Sequence, residues 1–383
     1  MPTRPLPDNP SLEHLKNQAK SLQRGVRAGD PVATAMLAEF FPRDADAPAR
    51  AEAGGDGCSL TEAQVVIARS YGFASWARLR GHLDVVATYS RWPEPVDDLP
   101  ESRSGDPEAL ADHFLNLVTL SYTKDTPERA AHGGRLLAAR PEIAKVGAHT
   151  LAAVGDVVGL RELLHRDPEA ARRTGGPFDW EPLLYLCYSR FAARATGGGS
   201  VAAAVVLLEA GADPNAGYLW RGLTSPFTAL AGAFGGGEQW QAPHEDSLEL
   251  ARVLLAAGAD PNDNQTLYNR MFAPANDHLE LLFQFGLGTD VDSPWRARLG
   301  HTYPSPTGMV EEQLRWAAAH GMEERVRLLL AHGVDPDGRG YHPAYGDRTA
   351  LALALGSGHR EIARELLRAG ATATGVDGLG DLG

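Results

Sequence analysis

Residues 206–215 read VLLEAGADPN, and residues 253–262 read VLLAAGADPN. In each stretch an apolar segment that suits a helix ends at a glycine, and Asp-Pro follows it. Glycine most readily adopts the left-handed conformation that ends a helix, and proline cannot continue one. The aspartate side chain can accept hydrogen bonds from the backbone of the turn. The two stretches therefore predict a helix-and-turn unit that the chain uses more than once.

Weaker copies of this unit extend over most of the chain. Each copy places a Leu-Leu pair near the end of an amphipathic helix, and the pairs begin at Leu136, Leu163, Leu207, Leu254, Leu281, Leu329 and Leu366. The spacing between consecutive pairs runs from 27 to 48 residues, which indicates that some units are trimmed and others carry inserted loops. A recurring unit of this size predicts a solenoid, in which each unit packs on its neighbours.

Several segments resemble ankyrin repeats. LLEAGADPNA at 207–216 resembles the end of a repeat, while LRWAAAHG at 314–321 and Thr349-Ala350-Leu351 resemble the start of its first helix. The resemblance covers roughly residues 107–374. It implies an all-α fold, an ankyrin-type helical-hairpin solenoid of about six or seven irregular repeats. Such a stack implies a binding protein that uses its concave face, although a fold alone does not name a function.

The N-terminal part of the chain differs from the repeats. Residues 1–91 are expected to form a segment of four helices, with Ser11, Ser59 or Thr61, and Ser75 as helix-starting residues. This segment resembles one that precedes ankyrin repeats in many bacterial, especially actinobacterial, proteins, and we expect it to cap the solenoid. Residues 92–106 are rich in proline and acidic residues and are expected to form a linker. The solenoid is then expected to occupy residues 107–383.

The composition argues against some classes of partner. The net charge is −13, whereas nucleic-acid binding needs a clustered cationic face. No stretch approaches the roughly 20 apolar residues that cross a bilayer, and the first residues lack the apolar core of a signal peptide. We therefore expect a cytoplasmic protein without a nucleic-acid or membrane partner. Cys58 and Cys187 are far apart in sequence and are expected to be buried thiols rather than a disulfide.

The inserted loops and helix starts are rich in aromatic residues and arginine, which are common at binding hot spots. We take as candidate ligand-binding residues Tyr185, Tyr188, Tyr218, Trp220, Arg221, Trp240, Tyr268, Arg270, Trp295, Tyr303, Tyr341 and His342. One interpretation is that these rings only pack long loops onto the solenoid. The other is that they converge on a concave site for a protein or for an apolar or aromatic small molecule.

No recognised catalytic signature is present in the sequence. His244, Glu245 and His301 are weak candidates for acid–base chemistry, and we expect no metal site and no cofactor. Whether the protein is an enzyme is open at this point. The alternative to a binding protein is a cofactor-independent cyclase, isomerase or hydrolase, which would need a closed cavity that holds a titratable group. The run Gly235-Gly236-Gly237 suggests a flexible hinge within one insertion.

Overall fold

The computed structural model describes residues 4, 6, 10–41, 58–96, 98, 105–191 and 199–373. These residues form nineteen α-helices and three short strands. They divide into two compact units. The first comprises the described residues within 1–90, 221–224 and 297–302, and the second comprises those within 91–220, 225–296 and 303–383.

Four helices form most of the first unit. They are α1 (Leu12–Arg27), α2 (Pro31–Phe40), α3 (Leu60–Ser70) and α4 (Trp76–Tyr89). Serine hydroxyls accept backbone N–H bonds at the starts of three of them, because Ser11, Ser59 and Ser75 are the N-cap residues of α1, α3 and α4. The apolar faces of these helices share one core, in which the side chains of Leu15, Ala63 and Leu79 are fully buried.

The second unit is built from helix pairs. The first members of the pairs are α5 (Pro107–Val118), α7 (Ala148–Val154), α9 (Pro182–Tyr188), α11 (Ala229–Phe234), α13 (Asn264–Met271), α16 (Pro306–Ala319) and α18 (Ala350–Gly356). The second members are α6 (Pro127–Ala139), α8 (Val157–Arg166), α10 (Ser200–Glu209), α12 (Ser247–Ala256), α14 (Asp277–Gln284), α17 (Glu323–Ala331) and α19 (Arg360–Arg368). Between α14 and α16 the chain forms the short helix α15 (Pro294–Leu299).

The contacts between these helices follow a regular order. Each first member contacts the next first member along the chain, from α5 through to α18. The second members contact one another from α8 to α14, and α17 contacts α19. Short 3-10 helices at Pro141–Lys145, Pro168–Ala171 and Pro343–Tyr345 lie in the connections, and a fourth follows α15 at Gly300–Thr302. Each pair therefore packs mainly on its neighbours in sequence.

The turns that follow the second members have the structure that the sequence predicts. Gly211, Gly258 and Gly333 all have positive φ, at 93°, 101° and 76°. The carboxylate of Asp213 accepts a bond from the backbone N–H of Asn215 at 2.9 Å, and Asp260 does the same for Asn262 at 2.8 Å. The turn motif thus ends each helix and fixes the backbone after it.

Arg325 connects the pair α13 and α14 to the next pair, α16 and α17. Arg325 of α17 is fully buried, and its guanidinium donates to the carbonyl oxygens of Met271, Ala273 and Ala275 and to Oδ1 of Asn276. These acceptors run from the last residue of α13 to the residue before α14. The arginine satisfies carbonyls that would otherwise be left without donors at the end of α13.

The small amount of sheet lies in the insertion before α11. Strands β2 (Gly217–Trp220) and β3 (Pro226–Thr228) form an antiparallel hairpin, in which Tyr218 is opposite Phe227. A two-residue strand, β1 (Ser90–Arg91), precedes them in the chain. In the described ranges no helix has both the length and the apolar character needed to cross a membrane.

Candidate functional site: the Trp240 cavity

A cavity of about 750 Å³ opens in the second unit. Its walls come from the end of α5 and the start of α6, from the residues that follow α9, and from the insertion between α11 and α12. Leu117, Leu120, Ala130 and Phe191 contribute apolar surface, and the indole of Trp240 lies at the cavity with 65% of the residue exposed. This volume falls within the usual range for small-molecule sites. We call it the Trp240 cavity.

The segment that carries Trp240 is fixed by close backbone contacts. Gly236 and Gln241 pair through two backbone hydrogen bonds, and the N–H of Gly237 donates to the carbonyl of Asn269 at 2.7 Å. A Cβ atom on Gly236 would lie 2.6 Å from that same carbonyl oxygen, and the φ of Gly236 is +84°. The glycine run that suggests a hinge in the sequence instead allows a close approach to α13. This approach determines where Trp240 lies.

Arg190 follows α9 and reaches behind the Trp240 segment. Its guanidinium donates to the carbonyl oxygens of Ala242 at 2.7 Å, Gly232 at 2.8 Å, Ser189 at 3.0 Å and Cys187 at 3.3 Å. Burial lowers the pKa of Arg190, because a low-dielectric environment disfavours the charged form. The side chain thus joins α9, α11 and the insertion at the wall of the cavity.

The opposite wall is the connection between α5 and α6. Arg129 donates from Nη2 to the backbone carbonyl and to Oδ1 of Asn116, at 3.0 and 2.9 Å. The carboxylate of Asp125 accepts bonds from the backbone N–H of Ser121 and Thr123 and from the hydroxyl of Ser121. These bonds hold the 119–126 connection in a turn, so that Thr119, Asp125 and Arg129 line the cavity.

One lining group has no bonding partner. Thr119 is 3% exposed, and among the described residues its hydroxyl oxygen makes no hydrogen bond. A buried hydroxyl without a partner is uncommon, because leaving it unpaired costs free energy. Thr119 is therefore a candidate for contact with a bound molecule.

Five of the sequence-predicted ligand residues lie in the protein core. Tyr185, Tyr188, Tyr218, Trp295 and Tyr303 are each at most 5% exposed. Their polar atoms mostly serve the backbone: Tyr188 donates to the carbonyl of Thr228, Trp295 to that of Asn215 and Tyr303 to that of Asn262. Burial raises the pKa of Tyr185, Tyr188, Tyr218 and Tyr303 well above the ordinary value. As the structure places them, these rings pack against protein.

Tyr268 belongs to an aromatic row at α13 and α16, and Tyr341 lies elsewhere. Tyr268 contacts Phe272 edge-on at 5.3 Å between centroids, and Phe272 contacts Trp316 in the same way at 5.2 Å. The hydroxyl of Tyr268 donates to Glu238 at 2.6 Å. Tyr341 is 40% exposed in the loop before α18 and hydrogen bonds with Asn264.

The other predicted residues have varied positions. Arg270 forms an ion pair with Asp277 at 2.7 Å, and the backbone of His342 is held by Glu312. Trp220 is half-buried near Phe227, whereas Arg221 is exposed at the hairpin turn with a φ of 51°. The structure does not bring the predicted residues together at one place, and only Trp240 among the ligand candidates lines the cavity.

The three weak catalytic candidates also separate. Glu245 is exposed and lines the Trp240 cavity. His244 is 3% exposed, and its Nδ1 accepts a bond from the N–H of Asp246 just before α12. His301 belongs to the first unit, where it packs edge-on against Phe73 at 4.5 Å. No group of three or more His, Cys, Asp or Glu side chains that could hold a metal ion occurs in the part of the chain that the structure describes.

Comparison with known families identifies one segment. Residues 314–367, which run from within α16 to within α19, match the family described as ankyrin repeats (many copies). This match supports an ankyrin-repeat protein. Ankyrin repeats suggest a role in protein interaction. A comparison with curated proteins finds no match to the chain.

Sequence reasoning did not select Thr119, Asp125 or Arg129 as site residues. They lie in the stretch TLSYTKDT at 119–126 and just after it, where α5 is connected to α6. The feature of the sequence that sets this connection apart is that it is polar and lacks the Gly-Ala-Asp-Pro turn of the other units. Arg190 follows the aromatic stretch of α9, and its sequence context does not mark it as a ligand residue.

Proposed function

We propose that the chain is an ankyrin-type binding protein in which α5 to α19 form a solenoid of seven helix pairs. The order of contacts among the helices and the family match at residues 314–367 support this arrangement. In this proposal residues 1–91 form a separate helical segment, residues 92–106 a linker and residues 107–383 the solenoid. Residues 97 and 99–104 of that linker lie outside the described residues. A cytoplasmic location remains an expectation from the sequence.

Within this solenoid, the Trp240 cavity is where the protein holds an apolar or aromatic group of its ligand. The observation that carries this proposal is the exposed indole of Trp240 beside a cavity of about 750 Å³. A large aromatic side chain left in water is favourable surface for a ligand to cover, because covering it removes apolar area from solvent. The ligand is either a small molecule or a side chain presented by a partner protein.

The test uses the indole N–H signals of the seven tryptophans in a ¹H–¹⁵N spectrum. Trp240→Phe identifies the signal of Trp240, and Trp92→Phe identifies that of Trp92, which is 54% exposed and does not line the cavity. The protein is titrated with 3-phenylpropanamide and with 3-phenylpropanoate. We expect at least one probe to shift the Trp240 signal in a saturable way while the Trp92 signal stays in place. If neither probe shifts the Trp240 signal, the proposal is contradicted.

The enzyme alternative stays a hypothesis. The described lining of the cavity contains no histidine and no cysteine, so its candidate acid–base groups are Asp125 and Glu245. Three hydrogen bonds already engage the carboxylate of Asp125, which favours a structural role for it. Any compound that binds at Trp240 should still be assayed for turnover.

A further inference from the structure

The positive charge of Arg190 has no ion-pair partner among the described residues. All the hydrogen bonds of its guanidinium go to carbonyl oxygens, and among the described residues the carboxylate that acts on its charge, Asp125, does so without forming an ion pair. Carbonyl groups are dipoles without net charge, so they solvate the guanidinium but do not neutralise it. An uncompensated charge at the wall of a partly desolvated cavity attracts an ion of opposite sign more strongly than it would in water.

The carboxylates of the cavity are poorly suited to neutralise that charge. Asp125 is turned toward its own connection, where two backbone N–H groups and the hydroxyl of Ser121 bind it at 2.8 to 3.0 Å. Glu245 is exposed to solvent, where water screens its charge. The lining contains two arginines and two acidic residues. Arg129, Arg190 and Asp125 are half-buried and Glu245 is exposed, so the charge away from solvent is net positive.

One more feature of the same cavity suits an anion. The hydroxyl of Thr119, which has no partner among the described residues, can donate one hydrogen bond. The start of α6 also lines the cavity, but a carboxylate already lies there: hydrogen bonds from its own backbone N–H and from the side chain of Thr126 lower the pKa of Glu128. The helix start is therefore not needed to place the anion.

We infer that the Trp240 cavity binds an organic anion: a carboxylate placed by Arg190 and Thr119, on an apolar or aromatic body that packs against Trp240 and Phe191. This inference rests on the proposed function, because it names the chemical class of the ligand held in the same cavity. The carboxylate can belong to a small metabolite or to the end of a partner's peptide chain. In both cases the recognised group is the same.

The test compares two probes in which a charged carboxylate is replaced by a neutral amide. 3-Phenylpropanoate and 3-phenylpropanamide have the same ring, chain length and shape, and each is titrated at constant ionic strength while the Trp240 indole signal is followed. We expect the anion to bind at least about tenfold more tightly, which corresponds to about 1.4 kcal/mol. Equal affinities, or tighter binding of the amide, overturn the inference but leave the proposed function intact. If neither probe binds, both fail.

Variants locate the carboxylate. Thr119→Val keeps the shape of the side chain and removes only the hydroxyl, so we expect several-fold weaker binding of 3-phenylpropanoate and a smaller loss for the amide, whose neutral oxygen accepts more weakly. Thr266→Val, at a buried threonine that does not line the cavity, serves as the control and should change neither. Arg190→Gln is expected to remove the preference for the anion. Arg190 bonds four carbonyl oxygens, so the melting temperature of Arg190→Gln is measured before any titration. If Arg190→Gln does not fold, the Thr119→Val variant alone decides the question. Loss of binding for both probes in Thr119→Val speaks against the inference.

Discussion

The side chain of Asn215 joins one turn of the second unit to the next by contacting Asp260. Its Oδ1 accepts the backbone N–H of Asp260 at 2.8 Å, and its Nδ2 donates to the carbonyl of Gly258 at 2.9 Å. Asn262 repeats the arrangement one turn further on, with the N–H of Gly288 and the carbonyl of Thr289. The last residue of the Gly-Ala-Asp-Pro-Asn motif therefore connects successive units, while the Asp inside the motif shapes its own turn.

The first prediction concerns this connection. Asn215→Ala leaves the buried N–H of Asp260 and the carbonyl of Gly258 without partners, so we expect the free energy of unfolding to fall by about 1–3 kcal/mol. Chemical denaturation measures the change. Asp292→Ala, at an exposed position in a neighbouring connection, is the control and should lie within about 0.5 kcal/mol of the unchanged protein. An Asn215→Ala variant as stable as this control would show that the connection contributes little.

The second prediction concerns His278 of α14. The residue is fully buried, and its Nδ1 lies 3.6 Å from the carboxylate of Asp277, beyond normal hydrogen-bond length. Burial lowers its pKa to about 4, with Arg325 and Arg270 adding to the shift and Asp277 opposing it. The unfolded chain binds the proton at the ordinary pKa of 6.5, so folding is favoured above pH 6.5 and this stability is lost as the pH falls toward 4. The full loss is about 3 kcal/mol. We expect His278→Phe to reduce the fall of the unfolding free energy between pH 6.5 and 4.5. A pH profile that keeps its full slope in this variant would contradict the assignment.

The third prediction concerns Asp263, for which stability falls as the pH rises. Asp263, the N-cap of α13, is buried, and its burial raises its pKa to about 6 from 3.8. A raised folded-state pKa gives stability that is complete below pH 3.8 and is lost as the pH rises through 6. Asparagine can still accept the N–H of Thr266, but its Nδ2 cannot accept the hydroxyl of Thr228 as the carboxylate does. Asp263→Asn should therefore be more favourable at pH 8 than at pH 4, by about 1–3 kcal/mol of unfolding free energy.

Asp30 offers a matched control for this experiment. It is also a helix N-cap, but it is exposed. Asp30→Asn should therefore show no gain at pH 8, because there is no buried charge to remove. If the two variants respond alike, the burial of Asp263 is not the cause.

The fourth prediction separates two costs of replacing glycine. Gly236 and Gly258 both have positive φ, but a Cβ on Gly236 would meet the carbonyl oxygen of Asn269, whereas Gly258 faces open space. Gly258→Ala should cost about 1 kcal/mol for the backbone conformation alone. We expect Gly236→Ala to cost at least about 1 kcal/mol more and to move the indole signal of Trp240. Equal costs with an unchanged signal would mean that the approach to α13 does not position Trp240.

The sequence predicts the repeating parts of this protein well because their causes are local. A glycine such as Gly211 ends a helix through its own backbone, and Asp213 bonds a backbone N–H only two residues away. Whether an individual aromatic residue is buried or exposed is not decided by its neighbours in sequence. Tyr188 and Trp240 are both aromatic residues of the same region, yet one is fully buried and the other is 65% exposed. Burial depends on which distant segment covers each ring, and the pattern along the chain does not contain that information.

The sequence does not predict the Trp240 cavity for the same reason. It joins Thr119, Arg190 and Trp240, which are separated by about fifty residues or more along the chain. Each is unremarkable in its own sequence context: Thr119 follows a helix, Arg190 follows another, and Trp240 lies in a glycine-rich loop. Their proximity results from how α5, α9 and the insertion before α12 pack.

The guanidinium of Arg325 limits how freely the units can be exchanged. It belongs to α17, but the carbonyls that it satisfies belong to the connection between α13 and α14. A chain cut before α17, or recombined so that another unit follows α14, would lose these bonds and leave water to replace them. The stretch from α13 to α17 is therefore best moved as one piece when units of this protein are exchanged by design, even though its helices read along the chain as two repeats.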